Sequence, residues 1–158
     1  MANLSVRAAS PGDEETVRAL LHELAVYERL DTNFRLTAAD VARDIIGPAS
    51  PCRCAVAEMG GEAAGVATWF SIYDTFEASH SLYLEDLFVR PAHRGSGVGK
   101  ALLGYLAERA REGGATHIEW QVLDWNEPAI AFYDKLRAKP VEGWRTYRLS
   151  WPMLDELR

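Results

Sequence analysis

The feature that most constrains the fold is a β-rich segment followed directly by a glycine-rich loop and an amphipathic helix. Residues 82–89 (LYLEDLFV) predict a strand, 94–100 (RGSGVGK) a loop, and 98–112 a helix with one apolar side. The first N–H groups of a helix lack intrahelical acceptors and lie at the positive end of the helix dipole. Because glycine lets a ligand approach the backbone closely, the segment predicts a phosphate or pyrophosphate site.

Two common phosphate-binding loops do not fit this segment. A P-loop needs Gly-x-x-x-x-Gly-Lys-Ser/Thr, but Ala101 follows Lys100, and Arg94 stands at the position of the first glycine. A dinucleotide loop needs a third glycine that would fall on Lys100 or Leu102. The pattern that remains is Arg-Gly-x-Gly-x-Gly after a strand, or else a glycine-softened turn that binds nothing.

This pattern resembles the pyrophosphate loop of the GNAT superfamily of N-acetyltransferases. The resemblance implies an α+β acyl-CoA N-acyltransferase fold, a mixed and mostly antiparallel central sheet flanked by helices, with acetyl-CoA as co-substrate. It also implies a bulge near the end of the strand before the loop. The implied cofactor-binding residues of the strand end and the loop are Leu87, Phe88, Val89, Arg94, Gly95, Ser96, Gly97, Val98, Gly99 and Lys100.

Composition narrows the class of protein. A length of 158 residues predicts one domain over 1–158, and a net charge of −6 argues against nonspecific nucleic-acid binding. The first residues do not resemble a signal peptide, and no apolar run is long enough to span a bilayer, so we expect a soluble, cytoplasmic protein without membrane contact. The four histidines and two cysteines show no metal-ligand spacing, so no metal is expected.

The order of predicted elements is mixed. Ser10 is the predicted N-cap of a helix that ends near Tyr27, and Thr37 with Asp40 forms a capping-box-like pair at the start of a second helix. The predicted strands are 4–8, 52–59, 64–73, 81–89, 117–123 and 144–149, and the later helices are 98–112 and 127–136. This order predicts an α+β domain on a mostly antiparallel sheet, in agreement with the resemblance.

A second motif covers residues 124–133 (DWNEPAIAFY). Asn126 is a good N-cap, so the simplest interpretation is a capped helix with core aromatic residues. The resemblance implies more: Asn126 and Ala129 contact the cofactor, and the Tyr133 hydroxyl lies near the CoA sulfur. A phenol with its ordinary pKa near 10 is protonated at neutral pH and can donate a proton to a departing thiolate.

Further segments resemble the spermidine/spermine and thialysine N-acetyltransferase branch of the superfamily. They are 24–28 (LAVYE), 83–86 (YLED), 125–128 (WNEP), 132–133 (FY) and 142–145 (EGWR). The resemblance implies a homodimer and an amine site lined by Tyr27, Glu28, Glu85, Trp120 and Glu142. One departure is Arg137, which stands where the family usually has a glycine after the helix.

The predicted reaction is direct acetyl transfer from acetyl-CoA to a primary amine. The resemblance makes this amine a small cationic one: a polyamine, a diamine or a thialysine- or lysine-like molecule. An alkyl ammonium has a pKa near 10.4 and must lose a proton first, and Glu85, directly or through water, is the candidate base. Backbone N–H groups of 87–89 would stabilise the oxyanion.

Other functions stay open from the sequence alone. Glu85 could be a surface carboxylate, and the acceptor could be an aminoglycoside, an amino acid or a protein N-terminus. A non-catalytic acyl-CoA sensor is a further alternative, although a sensor needs neither Glu85 nor Tyr133.

Overall fold

The structure, a computed structural model, describes residues 3–157. Contacts divide the chain into two compact units, Met1–Gln121 and Val122–Arg158. One domain over the whole length stays a prediction.

The first unit contains a five-stranded sheet in which neighbouring strands follow chain order. Its strands are β1 (Leu4–Ala8), β2 (Arg53–Met59), β3 (Glu62–Asp74), β4 (Ser79–Val89) and β5 (Ala115–Trp120), and its helices are α1 (Glu14–Tyr27), α2 (Ala38–Val41) and α3 (Val98–Glu112). The first four strands pair antiparallel, and β5 pairs parallel to β4. The predicted fold class is therefore confirmed.

The two faces of the sheet carry separate cores. Leu102 and Leu106 of α3 pack with Leu84 of β4 on one face. Leu20 of α1 packs with Phe88 of β4 on the other face, where α2 also contributes. Each fully buried leucine contributes about 1.5–3 kcal/mol relative to an exposed one. Packing on both faces thus fixes α1 and α3 against β4, the strand that leads into the glycine loop.

The predicted start of the first helix was wrong. The helix begins at Glu14 with Asp13 at the N-cap position. The Asp13 carboxylate accepts hydrogen bonds from the Ser10 N–H at 2.8 Å and from both terminal nitrogens of Arg7 at 2.7 and 2.9 Å. Ser10 donates its hydroxyl to the same carboxylate, so it closes a turn instead of capping the helix.

The capping pair of the second helix is confirmed, because Thr37 accepts from the Asp40 N–H while Asp40 accepts from the Thr37 N–H. The helix continues as a π-helical turn over Ala42–Ile46 before Gly47.

The predicted strand over 144–149 was also wrong. Residues 144–150 have no sheet partner in the part of the chain that the structure describes, and Trp144 and Tyr147 are 85% and 86% exposed. Alternating apolar residues favour extended backbone, but a strand also needs a neighbouring edge to pair with. Likewise β5 ends at Trp120, short of the predicted 123, and the chain then turns where the Asn126 N–H donates to Leu123 O.

The second unit contains α4 (Glu127–Lys135), which begins where the Asn126 side chain accepts from the Ala129 N–H at 3.4 Å. At its end the Arg137 N–H donates to Asp134 O at 2.9 Å and the Ala138 N–H donates to Tyr133 O at 3.2 Å. This is a Schellman C-cap. Arg137 takes the left-handed position with φ 63°, where glycine is the usual residue.

Arg137→Gly is expected to raise the free energy of unfolding by roughly 0.5–1 kcal/mol. A left-handed backbone costs an L-residue about 1–2 kcal/mol, and part of the gain is offset by the greater unfolded-state freedom of glycine. Urea unfolding measures the change. Arg137→Ala is the matched control, since it removes the same side chain but keeps the strained backbone. An equal gain in both variants would assign the effect to the side chain instead.

Candidate active site

The glycine loop is open on the side where a ligand would approach. Gly95 and Gly97 have φ values of 77° and 92°, and a Cβ at either position would meet nothing within 4 Å. Gly97 is the N-cap of α3 and has no side chain to cap it. The Ser96 hydroxyl donates to His93 O and so stays within the loop. The first N–H groups of α3 are therefore presented to an anion without a competing side-chain acceptor.

Arg94 supplies a cation at the same place. Its Nε donates to Val89 O at 3.0 Å, and its Cζ lies 4.8 Å from the centroid of the Tyr27 ring. Among residues 3–157, no carboxylate forms an ion pair with Arg94. Its charge is thus available to a phosphate.

The end of β4 offers backbone groups on the edge away from β3. The Arg90 N–H donates to Ala64 O, so alternation along an antiparallel pair turns the N–H groups of Leu87 and Val89 away from β3. The pairing of β5 with β4 reaches only as far as Leu84 opposite Trp120. An extended ligand can therefore hydrogen-bond this edge, and the loop, Arg94 and the strand end together fit acetyl-CoA.

A β-bulge in β4 lies slightly before the predicted position. Thr68 is opposite Asp86 and Trp69 is opposite Leu84, so Glu85 is the extra residue. The resemblance had implied a bulge within 87–89. The bulge changes which residues face α3: Leu84 does so before it, and Leu87 does so after it. Two consecutive residues, Glu85 and Asp86, lie together at the bulge, where the alternation of the strand changes.

Three carboxylates, Glu28, Glu85 and Asp86, form an acidic cluster in the first unit. Burial raises the pKa of Asp86, and the hydrogen bond from the Thr68 hydroxyl at 2.5 Å lowers it in part. Burial first, and then the charge of Asp86, raise the pKa of both Glu28 and Glu85. In the described part of the chain no lysine or arginine pairs with any of the three.

Asp86 is the residue that sequence reasoning missed, because no role at the site was predicted for it. Its charge raises the pKa of both Glu28 and Glu85. Its position in the YLED segment was the available signal, but its partner Thr68 lies on another strand.

Trp120 and the predicted residues of the second unit have clear local environments. Trp120 packs against the core under α3. Tyr133 is half-buried in the last turn of α4 with its ring 5.4 Å from that of Phe132. Glu142 is exposed beside Gly143, which has φ 87°. The predicted roles of these residues, and that of Asn126 towards the cofactor, stay predictions.

Among residues 3–157, no group of three or more His, Cys, Asp or Glu side chains is placed to hold a metal ion. Within the same residues, no helix has the length and apolar character needed to cross a bilayer.

Comparison with known proteins agrees with this geometry. The chain belongs to the acetyltransferase (GNAT) family, whose model matches residues 15–137. It is 35% identical over 159 residues to a thialysine N-epsilon-acetyltransferase of Caenorhabditis elegans, covering 99% of this chain and 98% of that protein. It is 30% identical over 160 residues to the spermidine/spermine N(1)-acetyltransferase-like protein 1 of Homo sapiens, covering 95% of this chain and 23% of that longer protein.

A solved structure has the same fold. It is an integron cassette protein from the mobile metagenome of V. cholerae, with a TM-score of 0.80 and 22% identity over 98% of this chain and 96% of that one. The family match and the thialysine N-epsilon-acetyltransferase relative, together, make the chain an N-acetyltransferase. GNAT acetyltransferases use acetyl-CoA, which supplies the acetyl group as a thioester.

Proposed function

We propose that the enzyme acetylates a primary amine that carries a further positive charge, such as a polyamine, a diamine or a thialysine- or lysine-like molecule. The acidic cluster of Glu28, Glu85 and Asp86 carries this proposal. Grouped carboxylates without a cationic partner repel one another, and a substrate ammonium group would relieve that repulsion. The names of the relatives, a thialysine N-epsilon-acetyltransferase and a spermidine/spermine N(1)-acetyltransferase-like protein, support the same substrate class.

In this proposal different residues carry out different steps of the reaction. Glu85 takes the proton of the amine, directly or through water, and its raised pKa makes it a stronger base than an ordinary glutamate. The N–H groups of Leu87 and Val89 stabilise the oxyanion. Tyr133 gives a proton to the departing thiolate. Glu28, Trp120 and Glu142 line the amine site.

Arg94→Ala is expected to lower the affinity for CoA by roughly tenfold or more, because one or two charge-assisted hydrogen bonds of about 1.5–3 kcal/mol are lost. Isothermal titration calorimetry with CoA measures this. Arg35→Ala serves as the control, since Arg35 is exposed and donates to the backbone carbonyls of Thr32 and Phe34. An unchanged CoA affinity in Arg94→Ala would remove the loop assignment.

Glu28→Gln is expected to raise KM for a diamine by about three- to tenfold and to leave KM for a neutral monoamine nearly unchanged. The variant keeps the shape of the side chain and loses only its charge. Glu142→Gln should act in the same direction. Steady-state kinetics with propylamine and 1,3-diaminopropane provide the comparison, and equal effects on both substrates would contradict a charge-based acceptor site.

A panel of amines tests the proposed function as a whole. Thiol release from acetyl-CoA would be followed with spermidine, spermine, thialysine, lysine, short diamines, an aminoglycoside and a peptide N-terminus. Turnover fastest with the small cationic amines supports the proposal. Preference for the aminoglycoside or the peptide would overturn the proposal in favour of that acceptor. CoA binding without turnover would indicate a sensor.

We also propose a cytoplasmic homodimer that uses neither nucleic acid nor membrane. Large apolar side chains of the C-terminal segment, including Trp144, Tyr147 and Trp151, are exposed, as is typical of surfaces that associate. The free thiols of Cys52 and Cys54 suit a reducing compartment. Light scattering on the full chain would test the dimer.

A further inference from the structure

Two arginines that follow β4 contact the same side of α1. Arg90 pairs with Glu23, with Nη2 2.7 Å from Oε1 and Nε 3.1 Å from both carboxylate oxygens. Arg94 lies over the ring of Tyr27, with 4.8 Å from Cζ to the ring centroid. Glu23 and Tyr27 are four residues apart on a helix and so share one face. One helix face thus holds both arginines.

The two contacts have different effects on the positive charges of Arg90 and Arg94. The carboxylate of Glu23 neutralises Arg90, which also donates to Ala63 O at 2.8 Å. An aromatic ring attracts a guanidinium through its quadrupole and leaves the positive charge in place. Arg94 is therefore held without being neutralised, which is what an anion-binding arginine requires.

Three contacts hold the Arg94 guanidinium. The Tyr27 ring lies on it, the Phe88 ring centroid is 6.0 Å from Cζ, and Nε donates to Val89 O at 3.0 Å. A free arginine side chain loses rotamer entropy when it binds a ligand, whereas a preorganised one loses less. These contacts matter because Arg94 is otherwise exposed and forms the first residue of the glycine loop.

We propose that Tyr27 is a positioning residue for the cofactor: it stacks on Arg94 and holds the guanidinium, still charged, at the glycine loop for the pyrophosphate of CoA. This rests on the proposed function only in taking the loop as the CoA site. It moves Tyr27 from the predicted amine site to the cofactor site. The ion pair between Glu23 and Arg90, one turn earlier in α1, holds this part of the helix and so keeps Tyr27 in place.

Calorimetric titration of the full chain with CoA tests the proposal without any need for turnover. Tyr27→Leu is expected to weaken CoA binding by about two- to fivefold, the value of an exposed cation–π contact. Tyr27→Phe keeps the ring and is expected to bind CoA as the unmodified chain does. Tyr27→Glu should weaken binding more than Tyr27→Leu, because its carboxylate would pair with Arg94 as Glu23 pairs with Arg90.

A double-mutant cycle separates positioning from general structural damage. In an Arg94→Ala background, Tyr27→Leu should cause no further loss of CoA affinity, because the group it positions is gone. An equal loss in both backgrounds would overturn the proposal. So would an unchanged CoA affinity in Tyr27→Leu together with a raised amine KM, which would return Tyr27 to the amine site. Failure of the amine panel, with the CoA cycle as expected, would reject the proposed function and keep this inference.

Discussion

Tyr133→Phe is expected to lower kcat by about 10²- to 10⁴-fold, the usual contribution of a positioned general acid. The substitution removes one hydroxyl and keeps the ring that packs beside Phe132. Folding and CoA affinity should therefore change little, whereas proton transfer to the thiolate is lost. Rapid-quench single-turnover kinetics, which isolate the chemical step, would measure the effect.

Tyr147→Phe is the matched control for this experiment, since Tyr147 is 86% exposed and has no predicted role. Its kcat should equal that of the unmodified enzyme. If Tyr133→Phe keeps a near-normal rate while chemistry limits turnover, Tyr133 is a packing residue and the proton comes from water or another group.

Glu85→Gln is expected to lower kcat/KM by about 10²- to 10⁴-fold near neutral pH, with the loss shrinking as the pH approaches the amine pKa near 10.4. At high pH the amine is already deprotonated and needs no base. Burial and the charge of Asp86 raise the pKa of Glu85. The unmodified enzyme should therefore lose activity, as the pH falls, at a higher pH than an ordinary glutamate would give. Pre-steady-state and steady-state pH profiles should show that this break is absent in Glu85→Gln.

Asp86→Asn provides an independent check on the same base. Removing the neighbouring charge should lower the pKa of Glu85, so the acidic limb of the profile should move to lower pH. A Glu85→Gln profile that runs parallel to that of the unmodified enzyme at every pH would exclude Glu85 as the base.

The parts of the fold that depend on nearby residues could be predicted from the sequence. The helix over 98–112 begins and ends where predicted, because its glycine N-cap and its apolar spacing are local. The pair of Thr37 and Asp40 is local as well. The glycine loop could be recognised for the same reason, since the groups proposed to bind phosphate belong to its own backbone.

The features that sequence reasoning missed depend on distant partners. Asp13 stands at the N-cap position of the first helix and its carboxylate binds Arg7 of β1, a partner outside the helix that local preferences for serine did not reveal. The environment of Asp86 is made by Thr68 of β3. The contact between Tyr27 and Arg94 joins the end of α1 to a loop that follows β4. Such pairings arise only when the sheet register is known.

The bulge at Glu85 makes β4 two half-strands joined out of phase. Up to Leu84 the strand follows one alternation, and from Leu87 it follows the opposite one. Removal of a single residue there would reverse which face of the sheet each side chain occupies from the bulge to the glycine loop. Phe88, for example, would turn from the core it shares with α1 towards the core under α3. A design that transfers this strand to another protein must therefore include the extra residue. A sequence alignment that omits this residue would assign every later side chain of the strand to the wrong face of the sheet.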